Sequence, residues 1–257
     1  MIPWIDFELP SFGPLTVHTF GVLVAIGIIV GARATLRRGR ELGLTDHSIR
    51  SMTTAILVGG FIAAHLFDVV AYQAGAGGVR WADVLNPFSG LSSFGGFAGA
   101  VATLFVWARV CGQRVAPYAD SLAVGLAPGW LFGRLGCFTA HDHPGRHTSF
   151  VLGVRYPDGV RHDLGLDEAI FAAAMTVLFM VLRRRERPVG TYPAILALTY
   201  APVRFGLDFL RAYDVAGADT RYFGLTPAQY GCVLLYGVGI VLAHETLSAS
   251  DAHAERA

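Results

Sequence analysis

The stretch Gly133-Arg-Leu-Gly-Cys-Phe-Thr-Ala-His-Asp-His-Pro-Gly145 holds the residues most able to do chemistry. It closes an apolar run that contains Arg134, then opens into a loop carrying His141, Asp142 and His143. An arginine inside a membrane span costs roughly 2.5–3.5 kcal/mol on insertion scales, so it calls for a partner or an anionic ligand. A second arginine, Arg204, sits four residues before Asp208 on one face of a later apolar run. Two readings of that pair stand: a satisfied buried ion pair, or a grip in which Arg134 and Arg204 converge on an anionic head group while Asp208 holds one of them. Arginine's planar fork suits phosphate, and two arginines against one nearby acid leave positive charge over, which favours the grip. Together these residues imply an enzyme working at a lipid surface.

His141-Asp-His143 admits a metal site, an acid or base group, or a loop held by local hydrogen bonds. Metal ligation needs three or four donors, and His147, His162 and Asp163 follow at irregular spacing, so no metal is expected. Histidine titrates near neutrality, which suits proton transfer at an aqueous–lipid boundary. His65 and Asp68 are three apart and within reach of each other, a pairing that is usually structural. The glycines of Phe94-Gly95-Gly96-Phe-Ala-Gly99 let helices or lipid chains approach closely. No nucleophile elbow, phosphate-binding loop, zinc-protease motif or dinucleotide fingerprint occurs.

The elements that must position these groups are membrane helices. The chain has 257 residues, 53% hydrophobic and 15% charged, and its mean hydropathy is +0.49. Soluble domains carry about 25% charged residues, which excludes a soluble all-α protein. Apolar runs of about 20 residues, enough to cross ~30 Å of hydrocarbon, recur seven times. They fall near 15–36, 51–72, 92–110, 118–138, 165–182, 190–210 and 227–245. The expected architecture is all-α and polytopic, a single domain over 1–257 with seven transmembrane helices. A net charge of +1 gives no reason to invoke nucleic acid.

Every basic side chain apart from histidine is arginine. Arg37, Arg38, Arg40, Arg50, Arg109, Arg114, Arg183, Arg184, Arg185 and Arg187 fall on one side of the spans. Arg80, Arg146, Arg155, Arg161, Arg211 and Arg221 fall on the other. The bias of cations to the cytoplasm places the N-terminus outside and the C-terminus inside. No removable leader pattern precedes the first span. The opening Met1–Pro14 is expected at the outer interface, with Trp4, Phe7 and Phe12 as anchors. Residues 139–163 then face the exterior. There Phe150–Tyr156 is β-prone and Pro157-Asp-Gly159 supplies a turn, so a small strand-containing head is expected. Cys111, Cys137 and Cys232 lie in or beside spans, where a disulfide framework is not expected.

The chain resembles the prolipoprotein diacylglyceryl transferase family. The resemblance rests on Val17-His-Thr-Phe-Gly21, Ser92-Ser-Phe-Gly-Gly96, the Gly133–Gly145 stretch, and Tyr200-Ala-Pro-Val-Arg204 through Asp208. It covers most of the chain, including seven spans and a periplasmic head. The family signature is G-R-x-G-N-F-x-N-x-E-x-x-G; its arginine falls on Arg134, its first and last glycines on Gly133 and Gly145, and its Glu on Asp142. The family's tyrosine and arginine of the sixth span match Tyr200 and Arg204, with Asp208 for a glutamate one turn on. The two signature asparagines fall on Cys137 and Ala140, the first-span tyrosine on Phe20, a second-span arginine on His65, and a functional histidine on Phe94.

The resemblance implies transfer of the diacylglyceryl group from phosphatidylglycerol to the lipobox cysteine of prolipoproteins, with release of glycerol phosphate. It implies no metal or organic cofactor, and a place in the bacterial inner membrane with the site on the periplasmic side. Catalytic roles fall on Arg134, Arg204, Tyr200, Asp142 and Asp208, with His141 or His143 as the base that Phe94 cannot be. Substrate contacts fall on Arg134, Arg204, Gly95, Gly96, Gly133 and Gly145. Two alternatives remain: a divergent paralogue with another donor or acceptor, and a non-catalytic lipid-binding membrane protein. Paired broken helices and internal repeats, the marks of a transporter, are absent from the sequence.

Overall fold

The computed structural model describes residues 1–5, 18–73, 84–86, 90–215 and 221–254. Phe7, Phe12 and Arg80 lie outside the described residues. The chain is mostly helical, and each apolar run has become a helix: α1 (Thr19–Glu41), α2 (Asp46–Phe67), α3 (Ser93–Val110), α4 (Val115–Ala140), α5 (Leu164–Leu182), α6 (Thr191–Leu207) and α7 (Pro227–Ala254). Among the described residues, six helical stretches are long and apolar enough to cross a membrane: α1, Asp46–Val70, α3, α4, α5 and Pro227–Ser248. Helix α6 has 17 residues and carries Pro202. Large apolar side chains such as Phe105, Val106, Val233 and Leu234 stand exposed along these helices, as lipid-facing surfaces do.

The chain divides into two compact units, Gly39–Ala119 and Met1–Arg38 with Asp120–Ala257. In the first, α2 and α3 touch almost backbone to backbone. A Cβ on Gly99 would lie 2.1 Å from the Ala63 methyl, and one on Gly95 would lie 2.3 Å from Phe67 Cβ. Small residues allow this approach, and the resulting dispersion contacts replace the hydrophobic drive that lipid cannot supply. Thr45 caps α2 and Ser92 caps α3, each accepting from the backbone N–H three residues on. His65 corrects one expectation. Its Nε2 lies 3.0 Å from the Val84 carbonyl and its Nδ1 lies 3.4 Å from that of Gly90, so backbone carbonyls meet both ring nitrogens in place of the Asp68 carboxylate. A buried carbonyl needs a donor as much as a carboxylate does.

In the second unit, α1 crosses α4 through Gly27, Gly31, Gly125 and Gly129. The core between α4, α5 and α6 is Val124, Ala127, Met175, Phe179 and Tyr192. Arg38 and Asp120 form a buried pair beside it, Nη2 to Oδ2 2.8 Å, and Asp120 Oδ1 also accepts from the Gly190 N–H at 2.9 Å. A buried charge of this kind stands only where every partner is supplied.

Between α4 and α5 lies an antiparallel sheet ordered β1-β3-β2, with β1 Pro144–His147, β2 Val154–Tyr156 and β3 Gly159–Asp163. The expected turn joins β2 to β3, where Tyr156 pairs with Gly159 at φ +134°, a backbone that favours glycine. Strand β1 was not expected, because Pro-Gly-Arg-His has no strand propensity of its own. It forms by pairing with β3, with a bulge between Pro144 and His147. Ile2 adds to the far edge: its N–H donates to Gly153 O at 2.9 Å and its carbonyl accepts from Arg155 N at 3.0 Å. Trp4 packs into this head, stacked on the His141 ring at 3.9 Å. Buried Arg161 ties the sheet together, donating to Gly145 O and to the carboxylates of Asp158 and Asp214. Those hydrogen bonds hold the Asp214 carboxyl down at about 2.

Candidate active site

Arg134 and Arg204, on α4 and α6, converge as the sequence suggests, and what they converge on is Glu168. Its Oε2 lies 3.0 Å from Arg134 Nη2 and its Oε1 lies 3.5 Å from Arg204 Nε. The Glu168 side chain is 3% exposed. Arg204 Nη1 donates to Asp208 Oδ1 at 2.6 Å, and the Tyr200 hydroxyl donates to Glu168 Oε2 at 3.3 Å. This corrects the charge argument from sequence, since the two arginines face two carboxylates. Two further arginines approach the same acid: Arg211 Nη1 lies 3.9 Å from Asp208 Oδ1, and Arg221 Nη2 donates to the Asp208 carbonyl at 3.0 Å.

Packing fixes each member. The Arg134 guanidinium lies over the Trp130 ring, 5.5 Å from its centroid, and Trp130 meets the Tyr200 ring edge to face at 4.9 Å. Asp208 follows the last residue of α6 and is fully buried. The Thr226 hydroxyl donates to its Oδ2. Thr226 and Gln229 form a capping box at the start of α7, with the Thr226 N–H donating to Gln229 Oε1 at 3.0 Å and the Gln229 N–H to Thr226 Oγ1 at 3.2 Å. Gln229 Nε2 then donates to Phe205 O at 3.1 Å, pinning α7 to α6.

The two histidines of the loop part company. His141 takes a left-handed backbone, φ +50°, and turns into the head. There its Nδ1 lies 3.2 Å from Asp163 Oδ2 and its Nε2 lies 3.3 Å from the Ile5 carbonyl. Burial, then the Asp163 carboxylate that accepts its proton at 2.8 Å, pushes the neighbouring Tyr156 hydroxyl well above its ordinary range. His143 instead faces back toward α4. Its Nδ1 makes a close contact with Asp142 Oδ1. Cys137, Asp142 and His143 bring a thiol, a carboxylate and an imidazole within 4.8 Å of one another. Burial pulls the His143 ring down, but Asp142 and Cys137 outweigh it and hold its pKa at about 9. Arg134 Nη1 approaches Cys137 Sγ at 3.8 Å, so this trio adjoins the arginine grip. Three donors beside a guanidinium fall short of a closed four-ligand zinc site.

The glycines divide by surroundings. Gly145 sits where a Cβ would strike His162 and the Leu210 carbonyl at 2.7 and 2.8 Å, and it bridges to Arg211, tying the head to the segment after α6. Gly133 faces open space. Gly95 and Gly96 lie in the Gly39–Ala119 unit, in contact with α2. The ring of Phe20 lies against Gly136.

Residues 8–244 match the family model described as prolipoprotein diacylglyceryl transferase. The chain belongs to this family. It is 29% identical to the phosphatidylglycerol–prolipoprotein diacylglyceryl transferase of Nitratidesulfovibrio vulgaris strain Hildenborough, over 93% of this chain and 94% of that one. The enzyme of the same name in strain Miyazaki F is 30% identical over 99% and 98%. That of Aromatoleum aromaticum is 28% identical over 95% and 96%.

Two participants went unforeseen. Glu168 is an acid in the first turns of an apolar run, and that alone marks it, since intramembrane acids are rare and face partners. Cys137 was visible only as a departure from the signature; it meets Arg134 one turn away on α4, and its proximity to His143 comes from the bend of the chain after α4.

Proposed function

We propose that this chain transfers the diacylglyceryl group of phosphatidylglycerol to the lipobox cysteine thiol of prolipoproteins. In this reading it is one seven-span domain of a bacterial inner membrane, N-terminus outside, with residues 139–163 as a periplasmic head. The observation that carries the reading is the meeting of Arg134 and Arg204 on one buried carboxylate, within a chain of this family. Two guanidinium groups from different helices, braced by Glu168, Asp208 and Tyr200, make a preorganised cradle for a lipid phosphate.

The thiol sulfur attacks the glyceryl carbon, a C–S bond forms, and the C–O bond to phosphate breaks. Charge then grows on the leaving glycerol phosphate, which Arg134 and Arg204 stabilise. The thiol proton passes to His143, the base that Phe94 cannot supply. A thiol with pKa near 8.5 and an imidazole held at about 9 are closely matched, so that transfer runs near level. Asp142 orients His143, as a carboxylate does for a histidine base. His141, locked between Trp4 and Asp163, positions the loop.

The test is complementation. The resident transferase of a host bacterium is depleted, this chain is expressed, and lipoprotein mass is followed by spectrometry. A gain of one diacylglyceryl unit is expected, lost with Arg134→Gln and Arg204→Gln. An unmodified lipoprotein with the protein present in the membrane would overturn the proposal in favour of a non-catalytic lipid binder.

A further inference from the structure

The trio beside the arginine cradle offers a sulfur, a carboxylate oxygen and a ring nitrogen, and one such atom each from Cys137, Asp142 and His143 lies within 4.8 Å of the other two. Around a tetrahedral zinc ion, bonds of about 2.3 Å to sulfur and about 2.0–2.1 Å to nitrogen or oxygen set the donors about 3.3–3.6 Å apart. Small side-chain rotations close the trio on such an ion, which then replaces the proton in the close His143–Asp142 contact. The backbone holds the donors in place from both sides. Cys137 lies in the last turn of α4, and left-handed His141 folds the next two residues back beside it. Beyond them the His143 carbonyl accepts from the Leu164 N–H at 3.1 Å, and Pro144 pairs with Asp163 in the sheet. Donors fixed in advance lose little freedom on binding.

We propose that Cys137, Asp142 and His143 bind a zinc ion with water in the fourth position, and that the ion blocks transfer by occupying His143. Thiolate and imidazole favour zinc over calcium and magnesium, which take oxygen ligands. One thiolate and one carboxylate cancel the two charges of the ion. The nearby Arg134 guanidinium is balanced by Glu168 at 3.0 Å, and its Nη1 approaches Cys137 Sγ at 3.8 Å, as donors behind a metal-bound sulfur do. Asp142 is exposed and His143 partly so, which gives the ion a way in and leaves the fourth position to water. Three protein ligands with one open position is an arrangement zinc takes in proteins. A ring nitrogen that ligates zinc has no lone pair left for a proton. The site stands on its own geometry, whereas the block on transfer rests on His143 as the base.

Cobalt(II) titrated into the chelator-treated, detergent-purified full chain tests the site, because tetrahedral cobalt on a thiolate shows a sulfur-to-cobalt absorption band. That band is expected; stoichiometric zinc should abolish it, and millimolar calcium or magnesium should not. Losing a group behind a metal ligand costs about 10- to 100-fold in affinity, so losing a ligand should cost more. Cys137→Ser should therefore remove the band and weaken zinc binding by more than about a hundredfold. Asp142→Asn, at an exposed position that does not threaten the fold, should weaken it by at least about tenfold. His147→Gln, in the head but outside the trio, should bind as wild type does. Absence of the band, a band kept in Cys137→Ser, or calcium displacing cobalt as well as zinc does would each overturn the site. In the transfer assay, zinc should inhibit the wild-type chain at the concentrations that displace cobalt, and a chelator should restore activity. Unaltered transfer with zinc bound would overturn the block and His143 as the base, with the metal site still standing. No transfer with or without zinc would overturn the transferase reading and the block with it, while the cobalt spectrum still decides the site.

Discussion

Replacing Glu168 by glutamine keeps its shape and removes its charge, which isolates what the carboxylate does between two arginines. Its oxygens lie 3.0 Å from Arg134 and 3.5 Å from Arg204, and the side chain is 3% exposed. At such separations each attraction is worth about 4 kcal/mol at an effective dielectric constant near 20. Desolvation offsets much of this, but removing one partner of a buried pair still costs about 3–5 kcal/mol, because charge is left behind. At roughly 2–4 °C per kcal/mol for a chain this long, Glu168→Gln should lower the melting temperature by about 6 to 20 °C. Tryptophan fluorescence of the detergent-purified protein on heating measures it. The double variant Arg134→Gln/Glu168→Gln should lose less than the sum of the single losses, since each charge is stranded only while its partner remains. In Glu168→Gln alone the cradle carries one more net positive charge, so phosphatidylglycerol should bind that single variant more tightly. A change under about 1 kcal/mol, with additive single and double variants, would refute the claim that Glu168 balances the arginines.

Two further outcomes follow from the geometry. Because the His143 pKa is held at about 9, above its ordinary 6.5, the stabilisation from its contacts with Asp142 and Cys137 is complete below about pH 6.5. It fades as pH rises through 9, while transfer activity should climb over the same range as the neutral base forms; His143→Gln should abolish both limbs, read as a pH–rate profile and a pH series of melts. Gly99→Ala places a methyl where its Cβ would lie 2.1 Å from that of Ala63, and should cost about 1–3 kcal/mol through overpacking of α2 on α3, measured as a lowered melting temperature with no change in pH profile.

The helices were legible from length and hydropathy: each of the seven runs overlaps one of α1 to α7, and among the described residues six helical stretches, α6 not among them, are long and apolar enough to cross a membrane. The Arg204–Asp208 pair was legible because four residues make one turn. Glu168 was not, since its partners lie 34 residues before it and 36 after it in the chain, and no local spacing encodes such a meeting. His141 and His143 look equivalent in sequence; a single left-handed residue sends one into the head and leaves the other beside Cys137. Strand β1 was invisible because its pairing with β3 supplies what Pro144–His147 lacks in propensity. The Thr226–Gln229 box did carry a signal, a threonine three residues before a glutamine ahead of an apolar run.

Asp163 ends β3 and, by accepting from the Leu166 N–H at 3.0 Å, also begins α5. No slack residue separates sheet from helix. Glu168 sits five positions on, about 7.5 Å along the helix axis, too short a rod to bend. A push on the sheet thus arrives undamped at the carboxylate that both arginines share. The cap at Asp163 therefore couples the position of the strands to that of the carboxylate, a short rigid link between the sheet and the two arginines.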